Sequence, residues 1–322
     1  MHKVWNQYPN IKEELKQVIT LMDENANCKD KVIENSIKEM VHSNGKMVRP
    51  AFTILAGQFG KDYDAQKIRA LAAVVEMFHM ATLVHDDVID EAKMRRNKET
   101  IQSKYGKAYA VYIGDYLFCI CFKILAETAS LSSIQMDSRS MSRICLGEVE
   151  QLNSRFDKAV SVKHYLKRVS GKTAELFALS LYIGAAESGC SKLLSRLLWN
   201  IGHHIGMAFQ IIDDLLDYEG DESLLGKDGA NDLTDGIYNL PLIYALEKKP
   251  AELIQLLDQP TYTKEDIQMI IQLTRQYGGI DAAKELARKY TEKAYKLIDK
   301  LPNTESKMIL KEVTMQLLKR DY

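Results

Sequence analysis

Proline is scarce in this chain. Six occur in 322 residues, at positions 9, 50, 241, 250, 260 and 302, so none lies between Pro50 and Pro241. That stretch is rich in Ala, Leu, Lys, Glu, Met and Ile, which predicts long helices with short connections. No convincing run of alternating β-branched residues marks a strand, and the expected fold class is all-α. Cysteine is sparse too. Cys28, Cys119, Cys121, Cys145 and Cys190 are odd in number and form no Cys-x-x-Cys pair. That excludes a disulfide framework and zinc spacing, and suits a reducing cytoplasm, the expected location. Charge of one sign is missing as well: 43 Lys and Arg face 44 Asp and Glu, a net charge of −1. A general nucleic-acid or anionic-membrane surface is therefore not indicated. The opening residues lack the apolar core of a signal peptide. No run approaches the ~18 apolar residues of a spanning helix. The longest, Leu176 to Ala186, has the length of a buried helix, and no transmembrane segment is expected.

Apolar residues make up 46% and charged residues 27%, a composition able to bury a sizeable core. No linker, low-complexity tract or fixed-period repeat divides the chain, so a single domain over 1–322 is expected. The pattern predicts helices over 11–22, 31–41, from 64 into a first acidic triplet, 107–129, 133–152, 162–187 and 191–218. Shorter helices follow a Gly-rich loop over 220–236. Asp30 and Asp64 stand where N-caps belong, and Thr263 with Asp266 resembles a capping box.

Two stretches stand out: Asp86-Asp87-Val88-Ile89-Asp90 and Asp213-Asp214-Leu215-Leu216-Asp217. Each is Asp-Asp-x-x-Asp after an apolar helical run, and at about 100° per residue its first and last Asp share a helical face. Carboxylates at i and i+4 repel by a few tenths of a kcal/mol, and a buried set costs far more unless cations bind it. One acidic triplet reads as a solvated helix end. Two identical ones, with oxygen ligands that leave room for phosphate, point to Mg²⁺.

Basic residues cluster near the triplets: Lys46 and Arg49 after Gly45, Arg95 and Arg96, Lys172 before Thr173, and Lys227 after Gly226. Any one alone reads as a surface cation; together they suit phosphate oxygens. A Walker loop ending at Lys172-Thr173 would need Gly at Leu166, and after Gly226-Lys227 the residue is Asp228 where Ser or Thr is required. The second triplet lacks the alternating ligands of an EF-hand. His79 and His85, six apart, are no same-face metal pair; a lone His in an apolar helix reads first as structural, His79, two turns below Asp86, is placed to reach the same cavity, and His85 is less clear. Tyr116, Phe118 and Phe122 read first as core residues.

In order along the chain, several segments resemble the trans-isoprenyl (polyprenyl) diphosphate synthases. They are Gly45-Lys46-x-x-Arg49-Pro50; Glu76-x-x-His79 running on to His85-Asp86-Asp87-x-x-Asp90; Arg95-Arg96; Gly114-Asp115; Gly147-Glu148 with Gln151; Lys172-Thr173; Phe209-Gln210-x-x-Asp213-Asp214-x-x-Asp217; and Gly226-Lys227 with Asp232. They span roughly 45 to 241 and are highly specific together. The resemblance implies an isoprenoid-synthase bundle of mostly antiparallel helices around a central cavity, with the acidic motifs facing each other at its mouth and about three Mg²⁺ ions. By position, Asp86, Asp90 and Asp213 match direct metal ligands, and Asp87, Asp214 and Asp217 supporting or water-mediated ones. Arg95, Lys172, Thr173, Gln210 and Lys227 match groups that hold the allylic diphosphate. Gly45, Lys46, Arg49, His79 and Arg96 match those for isopentenyl diphosphate. The chemistry implied is ionisation of the allylic diphosphate, attack by isopentenyl diphosphate and loss of a proton. A homodimer is implied by the family.

Product length can be argued from depth. Thr82 and Ala81 lie four and five residues before Asp86, ~6–7.5 Å down the helix. Both are small, where short-chain relatives place aromatics, so a product of about six to eight isoprene units is expected, with Phe118, Phe122 or a neighbour as floor. Departures from the pattern are Asn44, Met47, Asn97 and Glu99, and Ile237 and Asn239 where many relatives have Lys and Thr. Some two-component synthases also lack that Lys, which raises a small regulatory subunit as a partner. A shorter-chain farnesyl or geranylgeranyl diphosphate synthase is the alternative. Two rivals fit less well. A terpene cyclase usually carries an Asn/Ser/Glu-type second motif, and a non-catalytic subunit typically loses aspartates that are all present here.

Overall fold

Helix starts written locally in the sequence set the first elements. In the computed structural model, which describes residues 2–43, 45–95, 98–219 and 231–319, Asp30 accepts from the Val32 and Ile33 N–H groups and Asp64 from Gln66 and Lys67. Each carboxylate satisfies donors that a helix N-terminus leaves unpaired. In chain order the helices are α1 (Pro9–Ala26), α2 (Lys31–Val41), α3 (Val48–Gly57) and α4 (Ala65–Ile89). Two short strands, β1 (Met94–Arg95) and β2 (Lys98–Glu99), follow. Then come α5 (Ile101–Tyr105), α6 (Lys107–Thr128), α7 (Leu131–Asn153), α8 (Val162–Val169), α9 (Glu175–Glu187) and α10 (Lys192–Glu219). The last group is α11 (Asn231–Thr234), α12 (Leu240–Leu246), α13 (Ala251–Leu256), α14 (Lys264–Gln276), α15 (Gly279–Ile298) and α16 (Glu305–Leu318). Thr263 and Asp266 form the expected capping box at α14.

The expected helix over 162–187 is interrupted. Residues Ser170–Ala174 form a π-helical turn between α8 and α9. The antiparallel ladder Met94↔Glu99, Arg95↔Lys98 is the other departure from a purely helical reading. A two-residue hairpin carries too few positions to show alternation in a sequence.

The described chain divides into two compact units. The first comprises Met1–Ser138, Leu179–Trp199 and Pro302–Leu310. Here α4 is the central element, packed by α1, α3 and α6. Its consecutive residues Leu71, Ala72, Ala73, Val74 and Val75 are all buried, the signature of a helix covered on every side. Each large apolar side chain so buried contributes about 1.5–3 kcal/mol. By length and composition, α4 and α6 also pass as candidate membrane spans, although neither holds an unbroken apolar run. In α4, 61% of the apolar window is already buried within this fold.

The second unit comprises Arg139–Ala178, Asn200–Leu301 and Lys311–Tyr322. Within it α12 packs on α8, α14 and α15, and its core joins Tyr165, Ile211, Leu215, Tyr238, Leu240 and Ile243.

Candidate active site

In the first unit the Asp86–Asp90 triplet closes α4. Asp86 and Asp87 lie in the last turn, and Asp90 is the C-cap, its N–H donating to the Asp86 carbonyl. A helix C-terminus carries a partial negative charge, so each carboxylate there costs about 0.3–1 kcal/mol. Asp90 is exposed, Asp86 half-buried and Asp87 only 7% exposed. After α4 the chain reverses through Glu91, at φ 50°, and Ala92, whose N–H donates to the Asp87 carbonyl at 3.0 Å, and β1 brings Arg95 Nε to donate to Asp87 Oδ1 at 2.7 Å. Burial raises the Asp87 pKa, and Arg95 opposes that rise. Arg96 lies outside the described residues.

Around this triplet, Gly45 and Lys46 occupy the loop before α3 and Arg49 its first turn. His79 is half-buried on α4, and the Thr82 hydroxyl donates to its carbonyl at 2.8 Å. Ala81 is fully buried. His85 faces α6, with Nε2 3.3 Å from both the Val111 carbonyl and an Asp115 carboxylate oxygen. A Cβ on Gly114 would fall 2.4 Å from that nitrogen, which accounts for glycine in Gly114-Asp115. The core reading of the α6 aromatics needs correction. Tyr116 and Phe118 are half-buried and Phe122 is 55% exposed. Phe78, on α4, is the buried ring, 6.0 Å from Phe118 and 6.3 Å from Phe122. Helix α6 is apolar on more than one face, so composition alone could not say which face is covered.

In the second unit the Asp213–Asp217 triplet lies in the final turns of α10, again at a helix C-terminal end. Asp213 is exposed, Asp217 half-buried and Asp214 4% exposed. Asp214 accepts from the Tyr165 hydroxyl at 2.6 Å and from Gln210 Nε2 at 2.8 Å. Gln210 in turn accepts from the Thr173 hydroxyl at 2.8 Å. Burial, against those two hydrogen bonds, pushes the Asp214 carboxyl up to about 7. Burial first, then repulsion from Asp232, Asp214 and Asp213, pushes Asp217 up to about 8. These carboxyls sit where a cation would relieve them.

Thr173 and Lys172 belong to the π-helical turn, which two glycines allow its neighbours to approach. A Cβ on Gly147 of α7 would lie 2.7 Å from the Lys172 nitrogen, and one on Gly206 of α10 would lie 2.5 Å from Ala174 Cα. Lys172 Nζ pairs with Glu148 at 2.7 Å. Lys227 lies outside the described residues.

One residue escaped the sequence reading altogether, and two that it named take on further roles. Tyr165, 49 residues from Asp214, left no signal beyond its place on the apolar face of an amphipathic helix. Asp232 adds a fourth carboxylate beside the second triplet and is held by Asn239 Nδ2 at 3.1 Å. Ile237, in the usual Lys position, is a core residue at 6% exposure. Among the described residues, no three His, Cys, Asp or Glu side chains form a closed metal cage.

Comparison with known proteins places these features in context. A family model described as polyprenyl synthetase matches residues 30–274. Component 2 of the heptaprenyl diphosphate synthase of Geobacillus stearothermophilus is 35% identical over 283 residues, 88% of each chain. The crystal structure of a geranylgeranyl pyrophosphate synthase from Lactobacillus brevis superposes with a TM-score of 0.94 at 36% identity, covering 99% of both chains. A polyprenyl synthase from Caulobacter crescentus, complexed with calcium and isoprenyl diphosphate, gives 0.91 at 30% identity, covering 99% of this chain and 98% of the other.

Proposed function

The chain belongs to the polyprenyl synthetase family, and from that premise we propose that it extends an allylic diphosphate with isopentenyl diphosphate to an all-trans product of about six to eight isoprene units. The observation that carries this reading is the pair of acidic triplets at helix C-terminal ends, each with its central Asp buried and fixed by protein donors and one outer Asp, Asp90 or Asp213, at the solvent-exposed surface.

That donor set fits Mg²⁺: hard oxygens, supplied a few at a time, with room for water and phosphate. Asp86, Asp90 and Asp213 hold the ions, about three of them, with Asp87, Asp214 and Asp217 in support. When bound, the metal supplies positive charge against the departing diphosphate. Arg95, Lys172, Thr173, Gln210 and Lys227 hold that diphosphate as its charge develops. Gly45, Lys46, Arg49, His79 and Arg96 hold isopentenyl diphosphate so that its double bond attacks the allylic carbon. Ala81 and Thr82, with Phe118 and Phe122 beyond them, set the length of the product. The reactive carbon needs a dry, apolar surround, because water would quench the cation. The whole chain acts as one catalytic domain, a cytoplasmic homodimer.

The relative's name, component 2, and the buried Ile237 in the usual Lys position together favour a second reading. In it this chain is the catalytic part of a two-component synthase with a small regulatory subunit. Incubation of the purified chain with Mg²⁺, isopentenyl diphosphate and farnesyl diphosphate, followed by chromatography, tests both. Products of about 30 to 40 carbons support the first. Elongation only after a second subunit is added supports the other. Cyclisation without elongation rejects both.

A further inference from the structure

The residues ahead of α1 are held against the loop that opens α3. Lys3–Gln7 form a short 3-10 turn capped by His2, whose side chain accepts from the Val4 N–H at 3.3 Å. Trp5 in that turn is fully buried, and its indole N–H donates to the Lys46 carbonyl at 2.7 Å. An indole has a single donor, and burial obliges it to find a partner. His2 belongs to the same contact: burial first, and Lys46 next, hold its imidazole below the usual histidine range.

On the far side of that carbonyl the backbone is constrained as well. Met47 has φ 52° and ψ 35° and is 6% exposed. A residue with a Cβ stays in this left-handed region only where its surroundings hold it. The peptide joining Lys46 to Met47 is thus gripped by the Trp5 indole at its oxygen. The turn at Met47 then leads into α3, whose first turn carries Arg49.

We propose that Trp5 is a positioning residue for isopentenyl diphosphate, setting the backbone from which Lys46 and Arg49 reach the diphosphate. This rests on the reading that those two residues are its ligands. Trp5 touches no substrate; it acts through the Lys46 carbonyl.

The test is Trp5→Phe, which keeps an aromatic ring and removes the donor. Isopentenyl diphosphate is varied at saturating farnesyl diphosphate and Mg²⁺, and then the reverse. The expected result is a KM for isopentenyl diphosphate raised roughly 3- to 10-fold, the scale of one buried hydrogen bond, with kcat and the KM for farnesyl diphosphate unchanged. An unchanged KM, or an equal rise for both substrates, overturns the proposal while leaving the functional reading intact. A wild-type chain that condenses nothing, alone or with a small second subunit added, overturns the functional reading itself. Should Trp5→Phe fail to fold by circular dichroism, Trp199→Phe leaves Trp5 as the sole indole of the two in the chain. Titration with isopentenyl diphosphate alone then shifts Trp5 emission if the coupling exists, and a flat titration overturns it.

Discussion

The two acidic triplets share one sequence pattern and one placement, yet their central carboxylates are anchored by opposite means. Asp87 meets a full positive charge, Arg95, returned by the turn that follows α4, eight residues on. Asp214 meets two neutral donors, Tyr165 and Gln210, the first of them 49 residues distant. Burial drives Asp87, Asp214 and Asp217 all upward; Arg95 opposes it at Asp87, and Tyr165, Gln210 and the Arg168 charge oppose it at Asp214. The motif dictates which oxygens are presented. How readily they ionise before a cation arrives depends on where else the chain returns. The levels below the triplets differ too: Ala81 and Thr82 precede the first, and Ala208 and Phe209 the second, with the Phe209 ring tilted against Phe177 at 5.5 Å.

The largest expected effect removes a carboxylate proposed to hold Mg²⁺ from either site. Asp86→Ala and Asp213→Ala should each lower kcat/KM by about 10²- to 10³-fold, the scale of losing one preorganised stabiliser of transition-state charge. A variant at either position that keeps near wild-type turnover would show that the triplets are not equivalent partners.

Next comes product length. Ala81→Phe should shorten the product by at least one isoprene unit, read by chromatography, at an overpacking cost of about 1–3 kcal/mol. The matching change below the second triplet, Ala208→Phe, should destabilise the fold without shortening the product. Equal shortening by both would erase the distinction.

Tyr165→Phe leaves Asp214 with Gln210 alone. A hydrogen bond to a charged group contributes about 1.5–3 kcal/mol, and a loss toward the lower end is expected because the raised pKa leaves Asp214 partly neutral near pH 7. Urea unfolding at that pH measures it. Arg95→Met removes a charged partner that is partly exposed. It should cost less in stability, yet raise the KM for the allylic diphosphate.

The smallest effect is a pH slope. Asp214 and Asp217 have folded-state pKa values of about 7 and 8, above the ordinary carboxylate value of about 4. The folded state therefore holds more protons between those limits. Their contribution is complete below about pH 4 and is lost as pH rises through 7 to 8. Metal-free Asp217→Asn should show a flatter decline in melting temperature over that window than wild type, and added Mg²⁺ should flatten the wild-type profile. Asp87→Asn should change the slope less, because Arg95 opposes the burial effect there.

Much of this molecule was legible from local sequence. Asp30, Asp64 and the Thr263–Asp266 box announce their helices because a cap is settled within three or four residues. The triplets were legible because their spacing repeats. Contacts between distant segments were not. The π-helical turn depends on Gly147 and Gly206 admitting close neighbours on two sides, and nothing within Ser170–Ala174 itself signals it. Arg95 was read as a phosphate ligand and is also found paired with Asp87, a role visible only once the chain reverses after α4. Ile237 registered in the sequence as a lost lysine; its burial gives it a packing role of its own.

That five-residue turn has a consequence for everything after it. A wider coil inserted in a helix acts as a phase shifter, so side chains downstream point about 100° away from where an unbroken spiral would send them. Thr173 meets Gln210 at the offset angle. Deleting one residue from Ser170–Ala174 would restore the regular winding and swing that hydroxyl off its partner, detuning α9 against α10 without touching a single acidic residue.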